Sequence, residues 1–267
     1  MFVSPPEKTF RQNLMWRLLV LLPVAIAWIV ALLLYSDANK VEPISAGVAA
    51  ALTALAVWVW VAVGKMELSI HSEGVQTQGT FGGKEMRWEE IATTTFRQVP
   101  LGQQAAMHFG LMGYLVALAA NKGNAAGQMT LTLVARDGRK LTISPNWREV
   151  QEAVRMVLRR VNPGIKDDIR RRIRNGETVK FGKVGLSQQG ISWKDNPPIP
   201  FATLAKCRIA GQQLRIKAEG KWLDNIAVNT GRVPDVFVLL DLIDEIRLGG
   251  KPAEVDPVAR AAGVGAT

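Results

Sequence analysis

Residues Val179–Ile191 read VKFGKVGLSQQGI. Val179-x-Phe181 and Val184-x-Leu186 alternate apolar and other residues, which is the period of a half-buried strand. Gln188-Gln189-Gly190 then supplies turn residues, and Ile191 opens the next strand. The same order occurs earlier in the chain. Leu68-x-Ile70 leads through Ser72-Glu73-Gly74 to Val75, with glycine at the corresponding place.

Working outward, each copy continues to an aromatic residue with an apolar one three positions on, Trp88 with Ile91 and Phe201 with Leu204. An alternating hairpin follows in each. Leu131-x-Leu133 turns at Asp137-Gly138 into Leu141-x-Ile143, and Leu214-x-Ile216 turns at Glu219-Gly220 towards Trp222 and Ile226-x-Val228. Each copy closes on an amphipathic helix with apolar residues recurring at three and four. The first is expected over about Trp147 to Val161, with Asn146 as N-cap, Glu149 completing a capping box, and Val150, Val154, Val157 and Leu158 facing its sheet. The second is expected over about Pro234 to Leu248, and is apolar on more than one side.

Several short strands closed by one C-terminal helix is the order of a pleckstrin-homology-like barrel. The residues Val179 to Ile191, Phe201 to Leu204 and the final helix resemble bacterial PH-like domain membrane proteins of unknown function. That resemblance implies a fold and little about activity, because PH-like folds host unrelated binding functions. It also implies a basic pair in the first hairpin loop of lipid-binding members. Here those loops read Ser72-Glu73-Gly74 and Gln188-Gln189-Gly190, so no phosphate clamp of that type is present.

Ahead of both copies lie two apolar runs, Leu18 to Tyr35 and Pro43 to Gly64, without a charged residue in either. The first comes close to the roughly 20 residues needed to cross a hydrocarbon core, and the second is long enough alone. Read this way they form a two-helix transmembrane hairpin. Lys8, Arg11 and Arg17 before it and Lys65 after it place both termini in the cytoplasm by the positive-inside rule. The fold class expected is therefore a membrane-anchored α+β protein: the hairpin, then two tandem PH-like antiparallel β-barrels, each closed by a helix. The expected divisions are an N-terminus at 1–17, the hairpin at 18–64, a first domain at 65–162 with an apolar insertion at 99–127, a basic linker helix at 163–177, a second domain at 178–248, and a disordered tail at 249–267. The expected location is the inner (plasma) membrane, crossed more than once.

Composition narrows the partners. The chain has 267 residues, 33 Lys and Arg against 23 Asp and Glu, a net charge of +10 and a mean hydropathy of +0.09. Such a chain favours anionic surfaces. The basic run holds Arg159, Arg160, Lys166, Arg170, Arg171, Arg172 and Arg174, candidates for contact with anionic lipid headgroups, each cation contributing about 1 kcal/mol near such a surface. The plain alternative is a solvated helix with pairs such as Asp167 to Arg171 and Asp168 to Arg172. Nucleic acid is disfavoured, since no aromatic stacking platform interleaves the arginines. In the insertion, Phe109, Leu111, Met112, Tyr114 and Leu115 are candidates for dipping into the membrane interface or binding a partner, the plain alternative being that the insertion folds back over its own barrel or pairs as a lengthened hairpin; a homo-oligomer is a further possible partner.

Catalysis finds little footing. A lone cysteine, Cys207, and two histidines, His71 and His108, leave no multi-histidine metal site and no disulfide within the chain. No phosphate-cradling glycine loop or nucleophile elbow occurs. No cofactor is expected. The function expected is a non-enzymatic binding or scaffold protein that presents its domains to lipid or protein partners at the membrane face. The alternative is a membrane-bound enzyme with an unrecognised site between the two domains.

Overall fold

The structure, a computed structural model, describes residues 2, 4–12, 26, 28–29, 43–64, 66–79, 82–99, 128–145, 147–210, 212–220 and 225–247. The chain divides into two compact units, Met1–Glu85 with Asn146–Glu149, and Met86–Pro145 with Val150–Thr267.

The first unit carries a sheet of β1 (Lys8–Arg11), β2 (Glu67–Ile70), β3 (Gly74–Gly79) and β4 (Gly82–Arg87), in that order. Phe10, Leu68, Ile70 and Val75 are buried on it. The turn at Ser72-Glu73-Gly74 falls where the sequence places it, closed by the His71 amide donating to the Gly74 carbonyl at 2.8 Å. β1 lies within the stretch 1–17, where the sequence predicts only a plain terminus. Its four residues pair antiparallel with β2, Phe10 opposite Leu68. A short alternating stretch beside a charged flank gives no local sign that it will join a sheet 60 residues away.

The same unit contains helix α1 (Pro43–Gly64), on which Leu52, Leu55, Val57, Trp58 and Val61 are exposed. The transmembrane hairpin is corrected here. Among the described residues no helix is long and apolar enough to cross a membrane. Of the run Leu18 to Tyr35 only Ile26, Trp28 and Ile29 are described. The inner-membrane, multi-pass location with both termini cytoplasmic rested on those two spans and is withdrawn with them.

The second unit carries three further sheets. β5 (Ile91–Val99), β6 (Gln128–Ala135) and β7 (Lys140–Ile143) form one antiparallel sheet in the order β5-β6-β7. Helix α2 (Val150–Arg174) follows. Then come β8 (Val179–Phe181), β9 (Val184–Ser187) and β10 (Gly190–Trp193), ordered β10-β9-β8, and β11 (Leu204–Ala210), β12 (Gln213–Ala218) and β13 (Ile226–Asn229), ordered β11-β12-β13. Helix α3 (Val236–Arg247) ends the described chain. The Trp88 and Phe201 positions each open a 3-10 turn, and the amides of Ile91 and Leu204 donate back to the Trp88 and Phe201 carbonyls.

The tandem closed barrels expected from the PH-like resemblance are also corrected. Among the described residues the strands form four open sheets of three or four strands, and no ladder joins one sheet to the next. Closing a barrel needs every edge strand to find a partner. Here part of the β5 edge is occupied by Pro234 and Asp235 instead, through a Thr95–Pro234 bridge and a bond from the Asp235 amide to the Thr94 carbonyl at 2.7 Å.

α2 also departs from expectation. The first-copy helix and the basic linker are one continuous element, passing through Pro163. Proline removes a helical amide bond and ordinarily ends or kinks a helix. The buried side chains explain the continuation: Val154, Val157, Leu158 and Val161 precede Pro163, and Ile169 and Ile173 keep the same spacing after it. The helix start differs as well. α2 begins at Val150, Asn146 lies outside the described residues, and Glu149 has a left-handed φ of 56°, pairing with Lys8 at 3.3 Å rather than completing a capping box.

α3 is the core of the second unit. Val236, Phe237, Val238, Leu239, Leu240, Leu242 and Ile243 are all buried, and Phe237 meets Phe96 of β5 edge-on with ring centres 4.9 Å apart. At the start of β10, Gly190 holds φ 145°, and a β-carbon there would collide with the Ile199 carbonyl oxygen. Only glycine fits that crossing.

Candidate functional site

A cleft of about 890 Å³ opens in the second unit. Its walls come from the start of β5, from one face of α2, from all three residues of β8, and from Pro234 and Asp235 at the entry to α3. On α2 the lining residues Arg160, Gly164, Asp168 and Arg172 recur every four positions, so they share a helix face. Gly164 has open space where a side chain would stand. That leaves room between the charged residues on either side of it.

Five cations line the cleft, Arg136, Arg160, Arg171, Arg172 and Lys180, against three carboxylates, Glu89, Asp168 and Asp235. They arrive from separate elements. Arg136 follows β6 just before the Asp137-Gly138 turn, its amide donating to the Glu90 carbonyl at 2.9 Å. Lys180 is the exposed middle residue of β8, between buried Val179 and Phe181. Ile91, Val161, Ile165, Val179 and Phe181 add an apolar lining between these charges.

Asp235 is the buried carboxylate among the described residues. Its Oδ1 accepts from the Thr94 amide at 2.6 Å and from the Thr94 hydroxyl at 3.0 Å, and its Oδ2 accepts from the Thr93 hydroxyl at 2.7 Å. Burial pushes its carboxyl above the ordinary aspartate value, and the bonds from Thr93 and Thr94 offset only part of that. The residue holds φ 49°, a strained conformation that aspartate tolerates better than most. Its main task is to pin the start of α3 to β5.

The basic run separates into two groups. Arg160, Arg171 and Arg172 reach the cleft. Lys166 and Arg170 instead meet Glu245 of α3, at 2.8 Å and 2.9 Å. Burial alone would raise the Glu245 carboxyl, but the hydrogen bonds and charges of Lys166 and Arg170 outweigh it and hold the group below its ordinary value. Arg170 is raised in turn, chiefly by its bond to Glu245. The exposed arginines are partly neutralised: Arg171 pairs with Asp168 and Arg172 with Glu177. The helical pairs form at three-residue spacing, Asp167 with Arg170 and Asp168 with Arg171, rather than at four. Arg159 and Arg174 are exposed and do not line the cleft.

Phe109, Leu111, Met112, Tyr114 and Leu115, with the whole stretch 100–127, lie outside the described residues, as does His108. His71 is buried in the first unit with Nδ1 2.9 Å from the Ser4 carbonyl oxygen. Cys207 is half-buried on β11 opposite Ile216. No group of three or more metal-ligating side chains occurs among the described residues. Sequence reasoning missed Arg136 and Asp235. The Asp137-Gly138 turn beside Arg136 was visible, but one arginine next to a turn carries no local mark of a site. Asp235 takes its meaning from Thr93 and Thr94, 142 and 141 residues away.

Residues 4–251 match a family described as a family of unknown function, DUF6585. No curated protein and no solved structure matches the chain.

Proposed function

The chain belongs to the DUF6585 family, whose function is unknown, and from the chemistry of its cleft we propose that it is a non-enzymatic binding module that holds an anionic group of a partner. The placing of Arg136, Arg160 and Lys180 carries this reading, since the end of β6, α2 and β8 each present a cation to one concave surface where cations outnumber carboxylates five to three. A concave surface with an excess of positive charge favours an anion. The apolar lining gives the ligand a second handle and gives the cleft a preference beyond charge.

An enzyme would need a group free to take or give a proton. Asp235 is the natural candidate, yet both its oxygens are committed to Thr93 and Thr94. This supports a binding role over a chemical one.

Calorimetric titration of the full chain with poly-L-glutamate tests the reading. Binding that weakens with added salt and is lost in an Arg136→Glu, Lys180→Glu double variant is expected. Equal binding by both proteins removes the cleft from the function.

A further inference from the structure

We propose that the cleft takes an extended acidic peptide as an added strand along the free edge of β8; this rests on the anion-binding reading above. β8 is the last strand in the order β10-β9-β8, and all three of its residues line the cleft. Its outer edge therefore faces the space a ligand would occupy.

The β8–β9 turn fixes which main-chain groups point there. Phe181 and Val184 are paired across a two-residue loop, Gly182-Lys183, and Gly182 supplies the left-handed φ of 67° that the first position of a type II′ turn requires. The pair closing such a hairpin exchanges both backbone bonds, and the next pair exchanges none. The next pair is Lys180 with Gly185. The Lys180 amide and carbonyl consequently turn away from β9 and towards the cleft.

β5 makes the contrast. It is also an edge strand beside the cleft, but the amide and carbonyl of Thr94 are already bonded to Asp235 at 2.6 Å and 2.7 Å. An incoming main chain thus has its place at Lys180 and not at Thr94. Strand addition gives affinity through main-chain bonds and selectivity through alternate side chains. With cations at Arg136, Arg160 and Lys180 and apolar surface at Val161 and Ile165, alternation of acidic and apolar residues suits this cleft.

The test titrates the full chain with acetyl-Glu-Val-Glu-Val-Glu-amide and with two counterparts, N-methylated either at the valines or at the glutamates. An added strand bonds through every second residue. One counterpart should therefore lose about tenfold or more in affinity while the other loses little. Lys180→Glu, an exposed substitution whose fold is checked by circular dichroism, should weaken the parent peptide about tenfold. If both methylated peptides bind like the parent, strand addition is wrong and the anionic cleft stands. Binding of inorganic phosphate or phosphatidylglycerol vesicles without binding of the peptide also overturns the peptide and leaves the cleft. If none of these anions binds, both proposals fail.

Discussion

Arg170 on α2 grips Glu245 on α3 with one guanidinium nitrogen 3.0 Å and 2.9 Å from the two carboxylate oxygens, and Lys166 reaches the same carboxylate at 2.8 Å. Arg170 and Glu245 are 75 residues apart along the chain, and through them the two helices share one charge cluster. It uses basic residues that a linear reading leaves facing water or a membrane.

Glu245→Gln should lower stability by about 1.5–3 kcal/mol at neutral pH, the usual worth of hydrogen bonds to charged groups. The sign with pH follows from the depressed folded value of Glu245. Its contribution is present above the ordinary glutamate range and is lost as pH falls through the folded value. Urea unfolding of both proteins should show the gap narrowing in acid; a gap that widens would contradict this account.

Asp235→Asn should fold well, because asparagine tolerates the left-handed backbone and can accept from the Thr94 amide. Asp235→Ala should cost about 1–3 kcal/mol through buried donors left without an acceptor. Because the folded value of Asp235 is raised, the protonated form is favoured in the fold, and that contribution is lost as pH rises from the ordinary aspartate range through the folded value. Thermal melts between pH 3 and 7 should show this slope in the native protein and a flatter profile in the asparagine variant.

Two glycine substitutions separate backbone strain from collision. At Gly138 φ is 85° with open space around it, so Gly138→Ala should cost about 1–2 kcal/mol. Gly190→Ala adds a clash with the Ile199 carbonyl and should cost more than about 3 kcal/mol. Denaturant midpoints that rank the two in the opposite order would refute the β9–β10 geometry.

Within the basic run, Arg160→Ala should weaken polyanion binding severalfold, whereas Arg159→Ala and Arg174→Ala should change it little. The neighbours carry the same charge but stand outside the cleft. Equal losses at all three positions, measured by calorimetry at two salt concentrations, would mean that overall charge and not the cleft governs binding.

Periodicity, turns and caps act over a few residues, and where such terms dominate the sequence alone determined the outcome. Alternation at Val179 to Leu186, the Asp137-Gly138 turn, the glycine at 190 and the apolar face of α3 were all legible because each states its preference within its own neighbourhood. The tertiary structure decided the rest: that β1 joins the first sheet, that α2 runs through Pro163, that Asp235 caps β5 while Lys180 leaves β8 open, and that Arg136, Arg160 and Lys180 line one cleft. It also replaced the expected barrels with open sheets. Those results depend on which distant surface each segment finds, and the competing pairings differ by a few kcal/mol drawn from much larger opposing terms. No local pattern resolves a difference of that size.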